Sequence, residues 1–139
     1  MNNDKLGGKA AVLRPSELPQ HDRGGGAATT PLVGPWVGAG AFINGITSFA
    51  PSTAIPFHSH NCEESVMLLQ GDAMLDIEGQ EIPLSPFDTT WIAPNVSHRF
   101  RNLSSSAPMK IFWTYARPDA TRTITETGQT NFVSAEHGN

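Results

Sequence analysis

Cysteine is nearly absent from this chain. Cys62 is the single one among 139 residues, so no internal disulfide can form, and the usage fits a reducing compartment. Clusters of lysine and arginine are missing too. With 9 basic against 13 acidic residues and a formal net charge of −4, the chain lacks the electrostatic footprint of a nucleic-acid or anionic-membrane binder. The opening stretch MNNDKLGGKAAVLRPSEL holds no apolar core of the kind a leader needs, and no later segment approaches the length of a membrane span. A soluble, cytoplasmic protein with a small-molecule ligand, no nucleic acid and no membrane is therefore expected. Sustained helical periodicity is lacking in every window, and there are no internal repeats or low-complexity tracts to indicate a duplicated domain.

What is present is punctuation. Thirteen glycines and 11 prolines fall mostly between short apolar runs, a pattern that suits an all-β sandwich or barrel. The length allows one domain with a genuine core. Residues 1–35 read as an extended N-terminal arm, with Arg14-Pro15, Leu18-Pro19 and the run Gly24-Gly25-Gly26; such an arm either stays mobile or lies across a partner subunit. Residues 36–116 carry the strand-like runs AFINGITSF, TAIPFHSH, SVMLLQGDAMLDIEG, DTTWIAP, VSHRFRNLS and MKIFWTYA, enough for six to eight strands. Gln70-Gly71-Asp72 is expected to join SVMLL to AMLDI as a tight hairpin, and Glu78-Gly79-Gln80 to turn AMLDI back onto EIPL. Residues 117–139 form a C-terminal tail in which TRTITET can add one edge strand.

One constellation carries chemistry. His58, His60 and Glu64 lie within PFHSHNCEESVMLLQG, and an isolated His98 follows 34 residues after Glu64. On a strand, alternate side chains share a face, so His58 and His60 point the same way, about 7 Å apart along the strand, and can close on one ion. A helix would splay them by roughly 200°. Pro56 and the residues Thr53, Ile55 and Phe57 favour extended chain here.

These residues resemble the two motifs of the cupin superfamily. His58, His60, Glu64 and Gly71 fit the first motif with three residues between His60 and Glu64 and six between Glu64 and Gly71, while Ser52 stands where a leading glycine is expected. His98 and Asn102 fit the second, in which Phe87, Ala93 and Asn95 replace glycine, proline and glycine and Pro94 is shifted by one. Fifteen residues separate Gly71 from Phe87, similar to compact single-domain cupins. The resemblance implies an antiparallel jelly-roll β-barrel with extended N- and C-terminal arms. It also implies one divalent transition metal per chain, Fe(II), Mn(II), Ni(II), Cu(II) or Zn(II), held by His58, His60, Glu64 and His98.

The remaining candidates are weighed against plainer roles. Glu63 is either a solvent-facing residue or a base near the ion. Tyr115 shares a face with Trp113 and offers a proton-donating hydroxyl, although core packing is the default for both. Cys62 reads as a passive loop thiol, His21 and His137 as solvated tail residues, and Arg99 and Arg101 as leaving the barrel on the face opposite His98. The function expected is that of an enzyme acting on a small oxygenated organic molecule. A dioxygenase, an oxidoreductase, is favoured by analogy with similar cupins. The alternatives are a non-redox lyase, isomerase or decarboxylase, and a non-catalytic cupin that binds a small metabolite. An exposed sheet edge and two tails make a two-fold homodimer the expected assembly.

Overall fold

The computed structural model describes residues 3–134. Fourteen strands follow one another among them: β1 (Asn3–Lys5), β2 (Ala11–Leu13), β3 (His21–Asp22), β4 (Ala27–Pro31), β5 (Ile43–Phe49), β6 (His58–His60), β7 (Glu64–Gln70), β8 (Ala73–Ile77), β9 (Gln80–Leu84), β10 (Thr89–Ile92), β11 (His98–Asn102), β12 (Met109–Tyr115), β13 (Thr121–Ile124) and β14 (Thr130–Phe132). Single 3₁₀ turns at Pro15–Glu17 and Pro35–Val37 are the helical elements described, each opened by a proline whose fixed φ suits a first helical position. No described helix is long and apolar enough to cross a membrane.

Two six-stranded antiparallel sheets make the body, in the orders β10-β7-β12-β5-β4-β3 and β14-β13-β6-β11-β8-β9, with β1 and β2 paired separately. This is the all-β jelly roll expected. Inner and outer faces alternate most regularly in the central strands. In β5 and β12 every second residue is buried, and Ile43, Phe49, Val66, Leu68, Phe100 and Met109 close the core between the sheets. His58 and His98 are as deeply buried as these apolar residues.

Residues 21–31, expected within the arm, supply β3 and β4 of the first sheet, with Ala27–Pro31 in register against Phe49–Gly45 of the same chain. The C-terminal segment gives two strands, of which β13 lies inside the second sheet beside β6 and β14 forms its edge.

The two expected hairpins part company. Ile77 and Gln80 pair across a two-residue turn in which Glu78 (φ 52°) and Gly79 (φ 71°) are both left-handed, the geometry that matches the strand twist. By contrast β7 and β8 are not partners. β7 sits between β10 and β12, β8 between β11 and β9, and Gly71 carries the chain from one sheet to the other. A Cβ on Gly71 would come 2.8 Å from the Pro108 carbonyl oxygen, so the glycine (φ 97°) marks a close backbone crossing and not a hairpin tip.

Ser52, Phe87 and Asn95, the residues standing at the motif glycines, all hold positive φ, at 58°, 76° and 65°. The turns keep the glycine conformation without glycine, at a cost of roughly 1–2 kcal/mol per residue for those lacking a local compensation. Asn102 closes the second motif from inside. Its buried amide donates to the carbonyls of Ala50 (3.1 Å) and Ala107 (2.9 Å), and its side-chain oxygen accepts the Ser104 N–H (2.9 Å), tying the end of β11 to the corner after β5. Phe87 is 73% exposed, so its ring contributes little burial against its backbone strain. Phe87→Gly should therefore raise the free energy of unfolding by about 0.5–1 kcal/mol once the extra chain entropy of glycine is subtracted, read as a higher urea midpoint. A lowered midpoint would refute the strain.

Candidate metal centre

The four motif residues reach one point from three strands and two sheets. His58 and His60 come from β6 and His98 from β11, whereas Glu64 opens β7 in the facing sheet. In β6 the pattern of burial puts both histidines inward and Ser59 between them outward. His98 pairs directly with His58 across β11 and β6, which places the two rings on the same side of the sheet, 4.6 Å apart between centroids. One candidate ligand atom from each of the four residues lies within 4.8 Å of the other three.

Each imidazole is held by its other nitrogen. His58 Nδ1 donates to the Pro56 carbonyl (2.8 Å), His60 Nδ1 to that of Thr121 (2.9 Å) and His98 Nδ1 to that of Val96 (2.9 Å). A carbonyl oxygen only accepts, so every Nδ1 carries the proton and every Nε2 of a neutral ring presents a lone pair. Those lone pairs meet a carboxylate. His98 Nε2 lies 2.8 Å from Glu64 Oε1 and His60 Nε2 lies 3.3 Å from Glu64 Oε2, all with side chains at 3% exposure or less. His60 Nε2, His98 Nε2 and Glu64 Oε1 are at ion-pair distance yet without a hydrogen-bond partner. With Nδ1 already protonated, only a second proton or a metal cation between them makes such contacts attractive. The donor set of three neutral nitrogens and one carboxylate fits a divalent transition metal, and the backbone carbonyls behind the imidazoles are the supporting contacts such ligands use.

The electrostatics of the cluster follow from the same contacts. Burial pushes Glu64 towards the neutral acid, but contact with His60 and His98 and their charge outweigh it and hold the carboxyl well below its usual range. Burial first, then the charges of Arg122, His98 and His60, drives His58 well below its ordinary value. For His98, burial is outweighed by Glu64, and its pKa is raised.

Of the other candidates, Tyr115 is brought to the site and Glu63 is not. Tyr115 is buried, pairs in register with Glu64 across β12 and β7, lies 4.3 Å from the His60 ring and stacks on Trp113 at 4.9 Å. Trp113 itself donates to Thr47 Oγ1 (2.9 Å), and Gly45 leaves it room, since a Cβ there would fall 2.5 Å from the indole. Glu63 is exposed and accepts the Trp91 indole N–H at 2.8 Å. Cys62 is buried outside the four-residue cluster, its thiol pushed up by burial. His21 is half-buried on β3, and His137 lies outside the described residues. Arg99 and Arg101 point away from the cluster and hold Asp76 between them, at 2.8 Å each.

Sequence reasoning missed Arg122 and Arg23. Arg122, on β13, is directly opposite His60 on β6 and is buried at 7% exposure. Beside the cluster lies a narrow inner space of about 20 Å³, bounded by His58, Glu64, Phe100, Trp113, Tyr115 and Arg122. That holds one water-sized particle. An outer pocket of about 420 Å³ shares Arg23, Ile55 and Arg122 with it. The alternation in TRTITET puts Arg122 and Ile124 on one face, but only the pairing of β13 with β6 turns that face inward.

The profile of the family described as Cupin domain matches residues 45–115, and the chain belongs to that family. Among curated proteins it is 28% identical over 110 residues to polyketide synthase CurC of Streptomyces cyaneus, covering 78% of this chain and 70% of that one. It is 27% identical over 130 residues to auxin-binding protein T85 of Nicotiana tabacum, covering 81% and 67%. Among solved structures, a cupin-superfamily sugar phosphate isomerase from Silicibacter pomeroyi superposes with a TM-score of 0.73 at 18% identity, over 88% of each chain. The polyketide cyclase RemF from Streptomyces resistomycificus gives 0.68 at 18% identity, over 78% and 82%. The structural likenesses establish the fold.

Metal and protons compete for the same Nε2 lone pairs. Affinity for Ni(II) or Zn(II) should weaken as pH falls from about 8 to about 5, by about tenfold per pH unit for each ligand proton displaced. The sign follows from the raised pKa of His98, which is in its binding form only above that value. His98→Ala should lower metal content while the β-sheet circular dichroism persists. An affinity independent of pH would exclude the imidazoles as ligands.

Proposed function

We propose that the chain is a metal-dependent enzyme of non-redox type, a lyase, isomerase or cyclase, acting on a small oxygenated carbonyl compound at the centre formed by His58, His60, Glu64 and His98. The observation that carries the reading is the convergence of three anchored imidazoles and one carboxylate, among which His60 Nε2, His98 Nε2 and Glu64 Oε1 lack hydrogen-bond partners. A divalent ion bound there supplies Lewis acidity to a substrate that chelates it through oxygen. Glu64 offsets part of the cation's charge, and the three backbone carbonyls fix the direction of the imidazoles. Phe49, Phe100 and Trp113 give the inner space apolar walls and so strengthen the charge interactions within it. Tyr115, with a hydroxyl that both donates and accepts, is assigned the proton transfer, since Glu63 is engaged outside.

Two comparisons support an enolisable polycarbonyl substrate: one by sequence with a polyketide synthase, and one by structure with a polyketide cyclase. Together with the sugar phosphate isomerase, they move the reading from the dioxygenase expected from the ligand set to chemistry that needs no oxidant. A small-metabolite receptor is the second reading, favoured by the likeness to an auxin-binding protein. The homodimer belongs to the same proposal. Because β4 pairs within its own chain, the copies would meet through a sheet edge such as β10, where Trp91 is 66% exposed, and not through exchange of the whole arm.

The test is metal analysis of the full chain purified without chelator, followed by anaerobic loading and deuterium exchange at the α-carbon of 1,3-dicarbonyl compounds. About one metal per chain and metal-dependent exchange without oxygen uptake are expected. Tyr115→Phe should slow exchange by about 10²–10⁴-fold with metal content unchanged. Oxygen consumption coupled to substrate loss would replace the reading with the dioxygenase, and metal-dependent binding with neither exchange nor uptake would replace it with the receptor.

A further inference from the structure

We infer that Arg122 and Arg23 form an anion-recognition subsite beside the metal centre, so that the ligand of this site carries a carboxylate or phosphate close to its chelating oxygens. The inference rests on the reading of the site given above and adds the charge of its substrate. Arg122 enters from β13 opposite His60, on the same side of the sheet as the histidines, and borders both the inner space and the outer pocket. Arg23 enters from the other sheet, at the end of β3, where Gly24, Gly25 and Gly26 all hold positive φ and return the chain to β4. It borders the same two spaces.

Two guanidiniums from opposite sheets thus flank the passage between an ion-sized space and a pocket large enough for an organic molecule. Among the described residues, Glu64 is the one acidic residue bordering the inner space, and none borders the outer pocket. The other walls of the passage are apolar or neutral: Ile55, Ala54 and Pro56 outside, Phe49 and Phe100 inside. Arg122 borders the inner space together with His58 and Glu64 and stands opposite His60 across β13 and β6. A planar fork of N–H donors beside a cation site is the arrangement that holds an oxyanion in a fixed orientation, by charge-assisted and often bidentate hydrogen bonds. Low-dielectric walls strengthen that attraction.

The experiment is calorimetric titration of the full chain, metal-free and Ni(II)-loaded, with malonate, its neutral diamide and inorganic phosphate. Malonate or phosphate should bind more tightly than the diamide, and whichever anion is preferred names the group as carboxylate or phosphate. Arg122→Gln should weaken the preferred anion by about tenfold to a hundredfold with Ni(II) content unchanged, and Arg122→Lys should recover part of the loss. Arg23→Gln, a change at a half-buried turn residue, carries the test if Arg122→Gln does not fold; it should also weaken the anion. Equal binding of malonate and diamide, or anion affinity unchanged in both glutamine variants, would overturn the inference and leave the metal centre standing. If the native chain takes up no metal, the metal reading falls, and the metal-free titration decides alone: arginine-dependent anion binding supports the subsite, and its absence overturns it.

Discussion

Four electron-rich groups held against one another in a dry interior are the constraint on which this structure turns. Three Nε2 lone pairs and a carboxylate repel when nothing positive lies between them, and burial removes the water that would screen them. The rest of the chain is arranged so that this cluster does not spread. Each imidazole is fixed from behind by a backbone carbonyl, two of them from residues only two positions earlier in the chain, so the rings cannot rotate away without losing a hydrogen bond. The third, Thr121 on β13, comes from a strand 61 residues further on, which makes the C-terminal segment part of the site. Because Glu64 belongs to the sheet opposite the histidines, a cation in the cluster also fastens the two sheets together. Metal binding then adds to the stability of a fold that the apolar core already holds together, by the ordinary linkage between a ligand and the folded state that binds it.

The backbone around the cluster follows from the same demand. Ser52, Phe87 and Asn95 occupy turns that need positive φ, and in each the chain keeps the turn while giving up the residue that adopts it most easily. Asn95 has an evident compensation. Its N–H donates to the His60 carbonyl at 2.7 Å, so the turn before β11 is pinned to the ligand strand β6. Phe87 likewise donates its N–H to the Leu68 carbonyl at 2.7 Å, between Glu64 and the corner at Gly71. Two of the strained positions therefore bond to the strands that carry ligands, Asn95 to β6 and Phe87 to β7. Local strain is tolerated at such points when the surrounding pairing over-determines the conformation.

Legibility from the sequence tracks how local each determinant is. The alternation that places His58 and His60 on one face lies within three residues, as does the Glu78-Gly79 turn, and both could be read directly. The four metal-ligand candidates could be identified because their spacing resembles a family pattern. Gly71 misled because two causes, a turn tip and a close crossing, leave the same residue in the sequence; only the position of Pro108, 37 residues away, distinguishes them. The same applies to Tyr115, whose face was clear from alternation but whose nearness to His60 depends on the register of β12 against β7. Arg122 and Arg23 were invisible as site residues for a stronger reason. They sit in segments that read as an arm and a tail, and their common destination depends on β13 joining one sheet beside β6 while β3 and β4 extend the other. The glycine run 24–26, which reads as flexibility, serves instead as the tight return that brings Arg23 to the pocket.

A guanidinium placed beside a cation site also has an energetic consequence. The charge of Arg122 that opposes protonation of His58 acts with the same sign on a divalent ion, so by itself it disfavours both a proton and a metal there. Glu64 offsets one positive charge and is, among the described residues, the one carboxylate in the cluster. An anionic ligand at the inferred subsite would offset the remaining repulsion, and its gain would be shared by both partners. Linkage then requires that the anion tighten the metal by the same factor by which the metal tightens the anion. In such a site metal retention and substrate choice are a single electrostatic property, set by one carboxylate from β7 and two arginines from segments outside the family motifs.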